Sequence, residues 1–360
     1  MNSIPLEETH IALGAKMTSF AGFQMPLKYS SDIEEHLCVR EKVGIFDVSH
    51  MGEFLIEGEQ ALDLIQKISS NDAASLVDGQ AQYSCLMNEQ GGIVDDMLVY
   101  RFHHQKYMLV VNAANIQKDK EHILKHNSFE HVNFTDISQE TALFALQGPV
   151  ATKVLQRLTE YELSNIPFYH FKTLSLAGIE GIVVSATGYT GAGGFELYCP
   201  KAYALNLWES VLASGEQEGI LPIGLGARDT LRLEKGYCLY GNDIDDTTTP
   251  LEAGLQWITK LNKTDFLGAK ELVKQKEIGI DKKLVALSVV EKGIPRKGYE
   301  VHTEDNKLIG NITSGSFSPL LKKGIALAYV SKEYSKIGTK LIVVNKKRTI
   351  TVEVSKLPFV

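Results

Sequence analysis

Little in this sequence is clustered or extreme, and each shortage removes a class of protein. The 360 residues carry four cysteines, Cys38, Cys85, Cys199 and Cys238, which lie far apart with no C-x-x-C pair. That spacing frames neither a disulfide scaffold nor a zinc site, and it fits buried thiols in a reducing compartment. No apolar run approaches the roughly 20 residues needed to cross a bilayer. Apolar runs such as Met108-Leu109-Val110-Val111 have the length of strands. Residues 1–16 include Glu7 and Glu8 and hold neither a long apolar stretch nor an Arg/Ser-rich leader, so no secretory or transit peptide is expected. The expected location is cytoplasmic, and the glycosylation triplets at Asn133, Asn262 and Asn311 then carry no meaning. A basic excess is missing as well. Lys and Arg number 37 against 44 Asp and Glu, a net charge of -7, so nucleic acid and membrane are not expected partners.

The common cofactor signatures are also lacking. There is no G-x-G-x-x-G between strand and helix, no G-x-x-x-x-G-K-[ST], no H-E-x-x-H, no EF-hand loop and no G-x-S-x-G elbow. Gly224-x-Gly226 precedes a helical pattern but lacks a third glycine and a βαβ frame. His103-His104 would point to opposite faces of a strand. No dinucleotide and no metal are expected.

What is present reads as an ordinary globular α+β chain, 44% hydrophobic and 22% charged, long enough for two or three domains. Gln82 to Met87 and Ile93 to Tyr100 are strand-like and flank the turn Asn88 to Gly92, which predicts a hairpin. A strand at Tyr107 to Val111 and a helix at Ile116 to Lys125 follow. Then come a strand at Ala142 to Leu146, a Gln147-Gly148-Pro149 turn and a helix at Ala151 to Leu158. Gly181 to Ala186 and Phe195 to Tyr198 suggest a second hairpin around Gly188 to Gly194. Helices are expected at Tyr203 to Leu212 and at Gly226 to Lys235, the latter closed by Gly236. Lys260 to Ile280 reads as a helical connector. From about Lys282 the pattern changes to short β-branched runs between turns, the texture of a small β-barrel.

Four segments could carry chemistry. Asp95-Asp96 leads into an apolar strand, where an unpaired carboxylate is costly, so it either caps the hairpin or works in a cleft. Thr187 to Gly191 is an ordinary tight turn or a close-approach loop offering Tyr189, with Glu196 on the return strand. Arg228, at a helix start, can grip a carboxylate bidentately or be neutralised by Asp229 and Glu234. His50, in Phe46 to Gly52, is either an acid–base group or a structural imidazole.

Taken together, these segments resemble the T-protein family of aminomethyltransferases of the glycine cleavage system. The matching wording is GF-x-MP at Gly22 to Pro26, FDVSHMG at Phe46 to Gly52, GGIVDD at Gly91 to Asp96, VNAAN at Val111 to Asn115, LQGP at Leu146 to Pro149 and GYTG at Gly188 to Gly191. It continues with GLGARDTLRL at Gly224 to Leu233, LYGND at Leu239 to Asp243, Thr249-Pro250, ITSGSFS at Ile312 to Ser318 and Pro358-Phe359. The resemblance implies an α+β fold of three domains in a clover-like arrangement around a central folate channel, with mostly antiparallel sheets. Those domains would be 1–54 with about 138–260, about 55–137, and a β-barrel from about 280 to 360. It implies transfer of the aminomethyl carbon of lipoylated H-protein to tetrahydrofolate, giving 5,10-methylenetetrahydrofolate, ammonia and the dihydrolipoyl arm. By the same resemblance Asp96 is catalytic and Asp95 structural. Glu196 reads the amino-pyrimidine edge of the pterin, and Met51 and Asn112 line its pocket. Tyr83, Tyr169 and Tyr189 flank the folate rings, while Arg228 orients the folate end of the channel or a neighbouring carboxylate.

Two departures stand out. Ala192-Gly193 replaces the acidic pair common after GYTG, and the chain stops soon after Pro358-Phe359, which leaves anchoring of the folate tail open. Related scaffolds serve sulfonium demethylases, folate modules fused to dehydrogenases, and a folate-binding protein of iron–sulfur assembly. The last has a Lys-Gly-Cys motif where this chain reads Lys235-Gly236-Tyr237-Cys238.

Overall fold

The computed structural model describes residues 2–263, 265–346 and 348–360. The chain divides into two compact units. One comprises Met1–Ile65, Ala73–Tyr83 and Met97–Asp229; the other comprises Gln66–Asp72, Ser84–Asp96 and Thr230–Val360.

The first unit is built on a six-stranded sheet. Its strands run Phe171–Leu176, Ile179–Ser185, Gly194–Pro200, Thr141–Gln147, Gly44–Asp47 and Leu221–Pro222, in that spatial order. All neighbours are antiparallel except the last pair. Thr141–Gln147 is buried over six of its seven residues because the helices Ala151–Gln156 and Ala204–Gly215 supply apolar cover. Trp208, fully buried, meets Phe144 edge-on at 5.4 Å. A five-stranded antiparallel sheet has the order Gln80–Met87, Ile93–His103, Lys106–Val111, Gly52–Glu57 and Asn133–Asp136. Residues 84–87 and 93–96 of that sheet belong to the second unit. The hairpin expected around Asn88 to Gly92 is present.

The N-terminal 41 residues form elements that the sequence reading left unassigned. A three-stranded sheet joins Asn2–Ser3, Phe23–Lys28 and Lys16–Phe20, and a helix spans Asp32–Glu41. The Ser31 hydroxyl caps that helix by accepting from the Glu34 amide at 3.1 Å, an S-x-x-E start signal readable in the sequence.

The second unit contains a closed six-stranded barrel. Its strands run Lys282–Val289, Lys323–Ser331, Leu308–Ser318, Glu300–His302, Lys340–Asn345 and Arg348–Ser355, back to the first. Every pairing is antiparallel. Alternation decides what fills it: Val285, Leu287 and Val289 face Ala326, Ala328 and Val330 inside. Ala286, Ile325 and Leu327 point outward and pack with Leu233 and Phe359.

The helix Leu225–Lys235 ends as expected at Gly236, whose φ of +72° suits glycine. Gly236 N–H donates to the Leu233 carbonyl and Tyr237 N–H to the Arg232 carbonyl, the paired bonds of a Schellman stop. Two helices are shorter than expected. The connector is helical only over Ala269–Ile278, because Gly268 stands at φ +76° and Lys263 is drawn to the Gln66, Ser69 and Asn71 carbonyls. The helix at Ala151 stops at Gln156, whose side-chain amide turns to the Thr159 and Tyr161 carbonyls. All four cysteines are buried and lie outside any disulfide.

Arg232, 1% exposed, donates to Asp243 at 2.8 Å, to the Tyr237 carbonyl and to the Ser314 hydroxyl. Truncating Asp243 strands that guanidinium, so Asp243→Ala should cost about 3–5 kcal/mol in urea denaturation. Glu300→Ala, at an exposed pair, should cost a small fraction of that. Equal costs for the two variants would show that Asp243 has no such role.

Candidate functional site

The glycine-rich turn after Ser185 is shaped by one side chain from the LQGP segment. Gln147, 1% exposed, donates to the Thr187 carbonyl at 3.1 Å and accepts from the Thr190 hydroxyl at 2.7 Å. A Cβ on Gly188 would stand 2.0 Å from the Gln147 amide, so glycine is required there. Gly148 N–H closes the turn on the Gly193 carbonyl at 2.9 Å, and Arg40 donates to the Thr190 carbonyl. The Thr190 hydroxyl also accepts from the Ala192 amide. LQGP and GYTG are visible in the sequence as separate motifs; only the fold brings Gln147 of the first onto the turn of the second.

This turn places Tyr189 under the Arg228 guanidinium, 4.6 Å from the ring centroid. Beside it, Glu196 sits on Gly194–Pro200 with Ser185 and Ala145 as its cross-strand partners. Its carboxylate is buried and accepts from the Thr187 hydroxyl. Burial raises its pKa, while the Thr187 bond and the Arg228 charge pull it back. A buried acid next to a flat ring and a cation suits a neutral heteroaromatic ligand with a donor-rich edge.

Two further pairs of expected residues are set close in the first unit. Gly52 and Val111 are cross-strand partners, which makes Met51 and Asn112 the next opposing positions. Tyr169 has a φ of +61°, an uncommon conformation for a bulky residue. Its carbonyl accepts from Ala81, two residues before Tyr83 and on the same face of that strand. Met51, Tyr83, Asn112, Tyr169, Tyr189 and Arg228 are all half-buried.

His50 is 2% exposed, edge-on to Phe20 at 5.6 Å and to Phe23 at 6.4 Å. Its Nδ1 has no hydrogen-bond partner among the described residues. Burial and the Arg228 charge lower its pKa to about 3 against the opposing pull of Asp47. The imidazole is neutral in any ordinary buffer, which favours the structural alternative.

Asp96 belongs to the second unit. There the strand alternation holds: Asp95 is fully buried and Asp96 half-buried. The preceding turn is tied by Asn88, whose side-chain Oδ1 accepts from the Gln90 and Gly92 amides and whose Nδ2 donates to the Asp246 carbonyl. A Cβ on Gly92 would come within 1.9 Å of that Asp246 oxygen. Ile93 N–H donates to the Thr248 carbonyl and the Tyr240 hydroxyl to the Ile93 carbonyl, so both backbone groups of Ile93 are fixed just before the aspartates. Burial and both carboxylates push the neighbouring Cys85 thiol well up. Cys85 is therefore an inert thiol.

Comparison with known proteins fits this geometry. Residues 6–263 match the family model for the GCVT N-terminal domain, and residues 282–360 match that for the glycine cleavage T-protein C-terminal barrel domain. An aminomethyltransferase of Bacteroides fragilis is 52% identical over all of this chain and 99% of its own length. One from Halothermothrix orenii is 47% identical over the whole of both chains. The crystal structure of glycine cleavage system aminomethyltransferase T from Bartonella henselae superposes with a TM-score of 0.92 at 34% identity, covering 100% of this chain and 98% of that one. An α+β body with a closed C-terminal barrel, matched by both family models, defines the class as a one-carbon group transferase. More narrowly, the chain belongs to the glycine cleavage T-protein family, the aminomethyltransferases, as its motifs implied.

The His50 environment has a measurable consequence. Its folded pKa lies below the ordinary value of 6.5, so unfolding in acid takes up a proton. The native state should therefore lose up to about 1.4 kcal/mol per unit as pH falls from about 6.5 towards 3. Glu53, whose carboxyl is raised by burial and Asp136, acts oppositely and stabilises below its raised value. Denaturation midpoints against pH should show a shallower acid slope in His50→Gln; an unchanged slope would contradict the assignment.

Proposed function

We propose that this chain takes the aminomethyl carbon from the lipoyl arm of H-protein and passes it to tetrahydrofolate, releasing ammonia and the dihydrolipoyl arm. The observation that carries the reading is Glu196, a buried carboxylate beside the Arg228–Tyr189 stack. A pterin offers a flat ring for the tyrosine face and an amino-pyrimidine edge whose two parallel N–H groups suit one carboxylate. Met51 and Asn112, and Tyr83 with Tyr169, fit as the remaining walls for the pterin and aminobenzoyl rings.

Chemistry on such a substrate needs a folate nitrogen to attack a weakly electrophilic carbon, and a cationic iminium then to close on the second nitrogen. A carboxylate near that nitrogen stabilises the cation and takes up or relays its proton, an effect of about a hundredfold or more. We assign that role to Asp96 and a scaffold role to fully buried Asp95. Two considerations support the division: the strand alternation leaves Asp96 partly accessible, and the fixed Ile93 backbone holds both residues in register. Arg228 would steer the anionic end of folate or steady Glu196.

The three-domain division is also proposed, supported by the barrel match that begins at residue 282. For location, no helix among the described residues is long and apolar enough to cross a membrane. A cytoplasmic location is proposed, supported by four scattered cysteines that are buried and form no disulfide framework.

Asp96→Asn should lower methylenetetrahydrofolate formation from loaded H-protein by about a hundredfold or more, with folate affinity largely kept. Near-normal turnover would sink the catalytic assignment. Asp95→Asn should lower the melting temperature more than it lowers turnover. Running the same assay with sulfonium and methylamine donors separates this reading from the related demethylases, since only the aminomethyl-lipoyl donor should give product.

A further inference from the structure

Behind Glu196 lies a row of hydroxyls that the proposed chemistry does not use. Thr187 donates to the Glu196 carboxylate. The Thr187 oxygen lies 2.9 Å from the Ser185 hydroxyl and 3.2 Å from the Tyr100 hydroxyl. Tyr100 in turn lies 2.9 Å from the Tyr198 hydroxyl. Ser185 and Tyr100 are fully buried, and Thr187 and Tyr198 are each 4% exposed. The two phenol rings are pinned, Tyr100 against Tyr198 at 5.6 Å and against Phe171 at 5.2 Å, both edge-on. No accident of a mobile surface sets these distances.

Proton counting orients the row. Each hydroxyl has one hydrogen to give. Thr187 gives its hydrogen to the carboxylate, so its oxygen is left to accept from Tyr100 and Ser185. Tyr100, having given to Thr187, accepts from Tyr198. Burial raises the pKa of both phenols, so both keep their protons. The donors therefore run one way, from Tyr198 through Tyr100 and Thr187 to Glu196, and each bond polarises the next. Protonating Glu196 would weaken the bond from Thr187 and the polarisation of the row behind it.

We propose that Tyr100, backed by Tyr198, is a positioning residue for folate recognition: acting through Thr187, it keeps the Glu196 carboxylate ionised and aimed, so that it can accept from the ligand edge. This rests on the reading that Glu196 recognises the pterin. The charged or titratable groups facing Glu196 are Arg228 from the helix Leu225–Lys235, Tyr100 from the strand Ile93–His103 and Tyr198 from its own strand. Arg228 and the hydroxyl row favour the ionised form and burial opposes it. Ligand binding should then fail as pH falls through the raised Glu196 pKa.

The experiment is calorimetric binding of 5-methyltetrahydrofolate to the full chain across about pH 4.5 to 8.5, from the ordinary carboxylate range upwards. The unaltered protein should show an acid limb that Glu196→Gln lacks, with weaker binding throughout. Tyr100→Phe removes one hydroxyl worth about 1 kcal/mol, so the limb should move up by roughly half to one pH unit. Its alkaline affinity should stay within about twofold, because Glu196 is ionised there in either protein. Tyr198→Phe should shift the limb the same way by less, and it decides the matter if Tyr100→Phe does not fold. A lower melting temperature with an unmoved limb in both phenylalanine variants would mean the row only packs, and would overturn the proposal. If instead Glu196→Gln binds like the unaltered protein at every pH, it is the underlying reading of Glu196 that fails.

Discussion

In the second unit, the Asp243 carboxylate is the fixed point from which the rest can be followed. It accepts from the Arg232 guanidinium, the Leu239 amide and the Ser314 hydroxyl on one oxygen, and from Thr313 on the other. Its own backbone carbonyl accepts from the Tyr329 hydroxyl. One residue thereby joins the end of a helix, the loop that follows it and two adjacent barrel strands, Leu308–Ser318 and Lys323–Ser331. Two residues along the helix, Glu234 repeats the device by accepting from the Ser318 hydroxyl and the Leu320 amide. A barrel wall made of Ala286, Ile325 and Leu327 could slide against Leu233 at small cost, since apolar contact has no direction. The carboxylates supply the direction.

The first unit uses the same logic with a neutral group. Gln147 has a donor and an acceptor at the tip of one side chain, and it spends both on the turn between two strands. The turn can then be rich in glycine and still be rigid. Gly188 and Gly194 are needed because backbone or amide atoms approach closer than any Cβ allows, at 2.0 and 2.1 Å. Rigidity matters at this place because Tyr189 rides on the turn and Arg228 stacks on Tyr189. Ala192-Gly193 puts no charge in the turn, and the closing bonds come from Gln147, Thr190 and the backbone.

How far the sequence could be read follows from the range of each interaction. The barrel was legible because alternation in Leu284 to Val290 is a local pattern with period two, and the helix stop at Gly236 because left-handed backbone selects glycine. The hairpin at Asn88 to Gly92 was legible for a similar reason, as Asn88 bonds to amides two and four residues ahead. The connector helix was overread because what unwinds its start is remote: Lys263 is held by carbonyls almost 200 positions away along the chain. The N-terminal elements were underread even though Ser31 and Glu34 spell a capping box. The wording of the motifs identified the family before any geometry was known. The reason for that wording, such as Gln147 spanning the turn or Asp246 crowding Gly92, lies in contacts between distant segments.

The same limit explains why no sequence rule could sort the buried acids, whereas counting their donors can. A carboxylate offers about four lone-pair sites. Asp243 has four donors, one of them the Arg232 guanidinium, and Glu35 accepts the amides of Tyr29, Ser30 and Gly224. Such groups are saturated; they hold structure and have little capacity left for a ligand. Glu196 is also buried, though less fully, and accepts from Thr187 alone among the described residues. It keeps acceptor capacity in a place where water competes poorly, so a ligand that brings two N–H groups relieves a cost the fold has already sustained. Burial by itself marks an acid as expensive to keep. Burial with acceptor capacity to spare is why Glu196, and not Asp243 or Glu35, is the acid proposed to be completed by a substrate.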